Sequence, residues 1–205
     1  MQVKNLPLIP LLYQTGYLTI ESSGRDGLRP FYYLSYPNEE VRFSFLTYLA
    51  SAFKERDEFE IQPEALAVRD ALKEENIDDF VRHFQSFLSD IPARLHIPRE
   101  AYYHSLTYMM LRIVGAKMLL EKETNKGRID AVLELPDKIY LIEFKFATDN
   151  KVKDVKRLSE KALTQIKDKQ YYQAYLSTHK RILMLGIGFL NNQLHAQLEE
   201  LTIPQ

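Results

Sequence analysis

The chain has 205 residues, of which 45% are hydrophobic and 27% charged, and its formal net charge is −1. This composition is typical of a globular protein with a hydrophobic core and excludes a long disordered chain. The charge is uneven, since residues 1–95 carry 10 Lys and Arg against 15 Asp and Glu, whereas residues 96–205 carry 17 against 13. The C-terminal part is therefore the better candidate for contact with a polyanion.

Some classes of protein are excluded by what the sequence lacks. There is no cysteine, which excludes disulfides, thiolate zinc ligands and cysteine nucleophiles. The longest apolar run, residues 182–190, is far shorter than the roughly 20 residues of a membrane-spanning helix. The N-terminus lacks the basic start and apolar segment of a signal peptide. We therefore expect a soluble, cytoplasmic protein without a membrane partner.

The N-terminal part is expected to be mostly helical. A helix over residues 6–14 precedes two short strands, residues 17–20 and 31–36, and a helix that Asn38 caps and that ends near residue 53. This order is typical of a winged-helix-like unit.

A further helical pattern begins at residue 62, with Pro63 in its first turn, and continues to residue 92. Residues 1–95 are therefore interpreted as an accessory region with one small hairpin.

Residues 96–205 have a different pattern, in the order α-β-β-β-α-β-β. The predicted helices cover residues 99–115 and 156–177, and the predicted strands cover residues 118–123, 128–135, 138–146, 181–190 and 194–201.

The strand over residues 138–146 carries a pair of charged residues that its surroundings do not explain. Apolar residues occupy both parities of this strand, the pattern of a strand that is covered on both faces. Glu143 and Lys145 nevertheless lie two residues apart and therefore share one face. Charges in a covered strand are costly unless they are paired or bind an ion.

Asp130 lies in the preceding strand, and twelve residues separate it from Glu143. Antiparallel pairing of the two strands brings both carboxylates together. Two carboxylates with open positions for water suit Mg²⁺ or Mn²⁺, which can bind a phosphodiester oxygen. Lys145 is then placed to stabilise the charge that develops in phosphodiester hydrolysis. A Glu–Lys ladder on a solvated face is the alternative interpretation.

The pattern D-x12-E-x-K on adjacent strands resembles the core motif of the PD-(D/E)XK phosphodiesterase superfamily. Further stretches resemble one branch of this superfamily, usually found C-terminal to an AAA-type ATPase-like domain; they are residues 102–105, 127–130, 142–145 and 162–175. Residues 13–20 and 36–41 are similar to the linking region of those proteins, so the resemblance covers nearly the whole chain.

The resemblance implies an α/β (α+β) restriction-endonuclease-like core, with a mixed sheet of four or five strands flanked by helices. It also implies a metal-dependent nuclease that acts on nucleic acid, with DNA favoured. Asp130 and Glu143 would hold Mg²⁺ or Mn²⁺, and Lys145 would be catalytic. Glu100, on the first core helix, and Gln165, on the helix after the active-site strands, match two further catalytic positions of the family. Dipole stabilisation explains Glu100 equally well, and Gln165 could be a polar residue at a helix edge.

Three other residues are candidates for substrate binding or support. His104 is more often a packing residue than a ligand, Arg128 suits either a phosphate or a surface ion pair, and Tyr171 favours packing over base stacking. Residues 145–169 contain eight Lys and Arg against four Asp and Glu, which fits either a phosphate track or a solvated helix face.

Two departures from the family pattern leave alternatives open. Ile129 occupies the position of the proline in the superfamily's name, and the phosphate-binding G-x-x-x-x-G-K-[ST] motif is absent. The chain is therefore expected to be a fragment of an ATPase-containing protein or to act alone or with an ATPase-domain partner. A homodimer is also consistent with this fold. The alternatives to an enzyme are a non-catalytic nucleic-acid- or protein-binding module with the same fold, and a purely structural interaction domain.

Overall fold

The computed structural model describes residues 7–97, 99–113, 117–124, 127–147, 154–191 and 193–202. The chain divides into two compact units, Met1–Leu49 and Ala50–Gln205. No helix among the described residues is both long and apolar enough to cross a membrane.

The smaller unit contains helix α1 and a two-stranded antiparallel hairpin. Helix α1 covers Leu8–Gln14, and strands β1 and β2 cover Thr19–Asp26 and Arg29–Ser35. Helix α2, Glu39–Lys54, begins in this unit. The predicted cap is confirmed, because the Val41 N–H donates to Asn38 Oδ1 at 2.8 Å.

The next two helices correct the sequence prediction. Helix α3 covers Glu58–Glu74 and begins four residues before the predicted start, with Asp57 accepting a hydrogen bond from the Phe59 N–H. Helix α4, Ile77–Ser89, is separate rather than continuous with α3. The break is local, because Glu75 has a φ of 60° and the side chain of Asn76 caps α4.

The larger unit is built around a five-stranded mixed sheet, as predicted. Its helices α5 and α6 cover Glu100–Ile113 and Val155–Asp168, and its strands β3 to β7 cover Lys117–Thr124, Gly127–Glu134, Lys138–Ala147, Arg181–Leu190 and Gln193–Glu200. The strands follow one another in chain order across the sheet. Only β5 and β6 pair in parallel, and α6 connects them.

The end of helix α6 differs from the prediction, whereas the predicted end of α5 cannot be compared. Helix α6 ends at Asp168 rather than at residue 177, because Gln170 adopts a φ of 50° and a short 3₁₀ helix, Tyr171–Tyr175, follows. The predicted end of α5, residues 114 and 115, lies outside the described residues.

Alternate side chains of β5 contact different layers. Tyr140, Phe144 and Phe146 point to the face covered by α3 to α5: the Tyr140 hydroxyl donates to Leu72 O at 2.6 Å, and the Phe144 ring lies 5.1 Å from that of His104. Ile139 and Leu141 instead belong to a buried cluster with residues of α6, including Leu163 and Ile166. Both faces of the strand are therefore covered, as its sequence predicts.

Helix α6 packs against β6 at close range because β6 has two glycines on this face. A Cβ added to Gly186 would lie 2.4 Å from Ser159 O, and one added to Gly188 would lie 2.7 Å from Ser159 N. Both distances are far below van der Waals contact, so the helix backbone can approach the strand only at glycine. This close packing places the polar residues of α6 near the end of β5.

Candidate active site

Asp130 lies where strands β4 and β5 stop pairing. Their described ladder runs from Glu134↔Ile139 to Ala131↔Ile142. Beyond this point the Phe144 N–H donates to Asp130 Oδ2 at 2.8 Å. The carboxylate therefore provides the acceptor that the strand backbone would otherwise supply, and this contact fixes one of its oxygens.

Glu143 is buried on the α6 face of β5, with 2% of its surface exposed. Gln165 of α6 donates its side-chain amide to Glu143 Oε1, and Lys145 Nζ lies 3.2 Å from the same oxygen. Glu143 Oε2 is buried and has no hydrogen-bond partner among the described residues. A buried carboxylate oxygen without a partner is costly, so this atom is a candidate ligand.

The electrostatics of Glu143 are unusual for a carboxylate. Burial, and then the neighbouring charge of Asp130, raise the pKa of Glu143 to about 7, although Lys145 opposes the shift. A cation that binds to both carboxylates would remove the repulsion between them and keep Glu143 ionised. The pair is therefore better suited to a site with bound positive charge than to one without it.

Four of the predicted site residues are thus brought together. Asp130, Glu143 and Lys145 come from adjacent strands, and Gln165 reaches Glu143 from α6. The side chain of Lys145 is 31% exposed, so its ammonium group is accessible to a bound substrate.

Tyr171 supports this group. It is 2% exposed, it hydrogen-bonds with the side chain of Gln165, and its hydroxyl donates to the backbone oxygen of Arg128 at 3.0 Å. Burial raises the pKa of Tyr171, which keeps the hydroxyl protonated as a donor. Arg128 is an exposed residue, and its predicted contact with a phosphate stays a prediction.

Glu100 and His104 lie on α5, on the other side of the sheet from Glu143. Their side chains approach each other, with His104 Nε2 3.6 Å from Glu100 Oε1. Within the described ranges, no group of three or more His, Asp or Glu side chains is arranged to hold a metal. Glu100 therefore does not form such a cluster with Asp130 and Glu143, and the predicted roles of Glu100 and His104 stay predictions.

Sequence reasoning missed Tyr108, which contacts the site. Its hydroxyl donates to Asp130 O at 3.1 Å. Tyr108 lies one helical turn after His104, on the side of α5 that packs against the Phe144 ring. The available signal was its place one helical turn after the candidate His104, because tyrosine hydroxyls removed from water usually have a hydrogen-bond partner.

Comparison with known proteins agrees with the geometry. Residues 98–199 match the family model of the PD-(D/E)XK nuclease superfamily. The superfamily inferred from the D-x12-E-x-K motif is thereby confirmed. The match covers α5, the sheet and α6, and so includes every candidate site residue.

A curated relative is similar over most of the chain. It is an uncharacterized protein in the vnfD 5' region of Azotobacter chroococcum mcd 1, with 30% identity over 193 residues. The alignment covers 92% of this chain and 36% of the relative. The chain thus spans about a third of the length of that protein.

The residues of the PD-(D/E)XK site fit a divalent cation. Proteins commonly bind Mg²⁺ through one or two carboxylates, with water and substrate phosphate completing the coordination. Asp130 and Glu143 supply two carboxylates, and Glu143 Oε2 is a buried oxygen without a hydrogen-bond partner among the described residues. All these donors are hard oxygen atoms, which favour Mg²⁺ or Mn²⁺ over softer metals.

Proposed function

We propose that this protein is a divalent-metal-dependent nuclease that hydrolyses phosphodiester bonds, with DNA as its substrate. The observation that carries the proposal is the buried Glu143 carboxylate, which has one oxygen without a hydrogen-bond partner among the described residues and the charge of Asp130 close by. Burial, and then the charge of Asp130, raise the pKa of Glu143 to about 7, so the ionised form of Glu143 destabilises the metal-free protein. In a nuclease site, a cation bound to both carboxylates would offset this cost.

The side chains have separate roles in this proposal. Asp130 and Glu143 hold Mg²⁺ or Mn²⁺, which supplies Lewis-acid stabilisation of a phosphodiester oxygen. Lys145 brings a positive charge to the phosphate that undergoes attack. Gln165 fixes Glu143 Oε1 through its amide, which would leave Oε2 as the oxygen for the cation.

An open groove along α6 is a candidate path for the nucleic-acid backbone. Its volume is about 560 Å³, and it is lined by Arg157, Glu160, Lys161, Thr164, Gln165, Asp168 and Lys169. Gln165 joins the groove to the carboxylate pair. Arg157, Lys161 and Lys169 form no ion pair with another described side chain, so their charges are available to phosphates. Lys151 and Lys153 of the predicted basic track lie outside the described residues.

Metal binding tests the proposal without requiring the correct substrate. Calorimetric titration with Mn²⁺ should show binding to the wild-type protein and loss of binding in Asp130→Asn. The substitution keeps an oxygen that can accept from the Phe144 N–H, so the fold should be retained while the charge is lost. If wild-type and variant proteins have the same Mn²⁺ affinity, the carboxylate pair is not the metal site.

One observation favours a second function, a nucleic-acid-binding module without catalysis. Among the described side chains, no third His, Asp or Glu joins Asp130 and Glu143 to hold a metal. DNA binding that is unaffected by EDTA, together with no cleavage in Mg²⁺ or Mn²⁺, would support this function over the nuclease.

The smaller unit is proposed to dock onto a further protein domain. Large apolar side chains between residues 8 and 48 are exposed, among them Leu8 at 67%, Leu28 at 100% and Tyr33 at 61%. Helix α1 buries no residue. Because the Azotobacter relative is much longer than this chain, we propose that the partner is an additional domain, of the ATPase type that the sequence resemblance implies.

Co-purification tests this partner. The part of the Azotobacter relative outside the aligned region should bind the whole chain, and binding should be lost when Leu28 and Tyr33 are changed to serine. Sedimentation of the chain alone distinguishes the alternative, because a homodimer that depends on these residues would show that a second copy covers the surface.

A further inference from the structure

The segment of β4 that carries Asp130 has a neighbouring strand on one side only among the described pairings. Residues 131–134 pair with both β5 and β3, whereas residues 127–129 pair with β3. In the described ladder no β4–β5 pair lies beyond Ala131↔Ile142. The position of the Asp130 carboxylate relative to Glu143 therefore depends on contacts other than that ladder.

Two tyrosine hydroxyls make such contacts. Tyr171, in the 3₁₀ helix after α6, donates to Arg128 O at 3.0 Å. Tyr108, on α5, donates to Asp130 O at 3.1 Å. The two residues come from elements on opposite faces of the sheet, and they hold alternate carbonyl groups of the segment. Together they provide part of the hydrogen bonding that continued pairing with β5 would supply.

The Tyr171 side chain lies so close to the start of β4 that it restricts which residue can occupy position 127. Gly127 adopts a φ of 136°, and a Cβ at this position would lie 3.3 Å from the Tyr171 hydroxyl oxygen. Glycine is the residue that adopts this conformation without strain. The start of β4 is therefore fitted to the Tyr171 side chain, as expected if that contact has a defined role.

We propose that Tyr171 and Tyr108 are positioning residues that hold the Asp130 segment of β4 against β5, so that the Asp130 carboxylate stays on the Phe144 N–H and beside Glu143. This effect on the position of the β4 segment does not depend on whether the protein is catalytically active. The consequence for metal affinity rests on the proposed function, in which Asp130 and Glu143 hold the cation together.

The first experiment measures the position of Asp130 in the metal-free protein by NMR of the Phe144 amide. Tyr171→Phe should weaken the hydrogen bond to Asp130 Oδ2, shift the Phe144 amide proton upfield and accelerate its exchange about fivefold to tenfold, as expected for the loss of one hydrogen bond. Tyr108→Phe should act in the same direction.

Tyr140→Phe is the matched control. Tyr140 is fully buried, and its hydroxyl also donates to a backbone carbonyl, Leu72 O, at 2.6 Å, but at the opposite end of β5. This variant should leave the Phe144 amide proton shift unchanged. Equal effects of Tyr171→Phe and Tyr140→Phe on Phe144 would overturn the positioning role and leave a general contribution to stability.

The second experiment measures Mn²⁺ affinity by calorimetry. Tyr171→Phe and Tyr108→Phe should each weaken binding about tenfold or more, the usual effect of removing a residue that supports a metal ligand, whereas Tyr140→Phe should bind like the wild type. Unchanged affinity in both variants would contradict the inference. Absence of Mn²⁺ binding to the wild type would instead contradict the proposed function, and the NMR experiment would still decide the positioning role.

Discussion

A buried charged residue lies toward each end of β5, and the two residues differ in their hydrogen-bond partners. At the start of the strand, Lys138 is 4% exposed, donates to Lys73 O at 2.8 Å and lies 2.5 Å from Glu75. Near the other end, Glu143 is 2% exposed, but its Oε2 has no hydrogen-bond partner among the described residues. Both charges are removed from water, but one oxygen of the second has no partner in the described part of the chain.

The difference separates a structural charge from a functional one. Glu75 also pairs with Arg181, which pairs with Glu200, and these contacts lower the pKa of Glu75 through hydrogen bonds from Arg181 and Lys138. Burial has the opposite effect on Glu143, whose pKa rises to about 7. Ion pairing at the first end stabilises the folded chain, whereas the second end retains a cost that binding of a cation would offset.

Removing the lysine at the functional end should have the largest effect. Lys145→Ala should lower the rate of cleavage about 1,000-fold, because the charge on the phosphate loses its nearest ammonium group. Metal affinity should be retained, since Asp130 and Glu143 are unchanged. Lys73→Ala, which removes an exposed lysine outside residues 145–169, serves as the control in the same kinetic assay, and full activity of Lys145→Ala would rule out its assigned role.

Removing the partner at the structural end should destabilise the fold. Glu75→Ala should lower the free energy of unfolding by about 3 to 4 kcal/mol, because the buried Lys138 loses its carboxylate. The neighbouring Glu74 is exposed, so Glu74→Ala should change stability little. Urea denaturation of both variants measures the difference, and similar losses would show that Lys138 does not depend on Glu75.

Neutralising the buried carboxylate of Glu143, at the functional end, should raise the free energy of unfolding rather than lower it. In the folded protein Glu143 takes up a proton below about pH 7, whereas its ordinary pKa is 4.5. The folded state therefore binds more protons between these values, and the free energy of unfolding should fall as the pH rises through this window, by about 3 kcal/mol in total.

Glu143→Gln should remove this fall and stabilise the metal-free protein at pH 8. Urea denaturation at pH 5 and pH 8 in EDTA measures it, with Glu74→Gln as the control. A variant that is less stable than the wild type at pH 8 would show that Glu143 is satisfied in its ionised form.

An exposed ion pair should contribute least. Arg82 and Asp79 lie 2.7 Å apart on α4, with side chains 67% and 37% exposed. Arg82→Ala should change the free energy of unfolding by about 0.5 kcal/mol or less, because solvent screens such pairs. A larger loss in thermal denaturation would mean that exposure is a poor guide to the importance of charges in this protein.

Much of the sheet could be predicted because its strands carry strong local patterns. The strand over Arg181–Leu190 was predicted to the residue, since a continuous apolar run is bounded by polar residues at both ends. The face shared by Glu143 and Lys145 followed from the period of two, and the distance between Lys145 Nζ and Glu143 Oε1 confirms it.

The errors at the C-terminal ends of α3 and α6 arose where non-glycine residues adopt positive φ. Glu75 and Gln170 end helices at positions where the sequence pattern continues, because the left-handed conformation of a single residue leaves little trace in hydrophobic periodicity. Tyr108 was missed for another reason. Its contact with Asp130 O joins residues 22 apart in sequence, and only the packing of α5 on the sheet brings them together.

Cleavage of labelled single- and double-stranded DNA and RNA, with Mg²⁺, Mn²⁺ or EDTA, most directly tests whether Asp130, Glu143 and Lys145 form a nuclease site. The wild-type protein should cut DNA only with a divalent metal, and Asp130→Asn, with its fold verified by circular dichroism, should not. Cleavage by Asp130→Asn at the wild-type rate, or no cleavage of any substrate by a wild-type protein that also fails to bind Mn²⁺, would contradict the assignment.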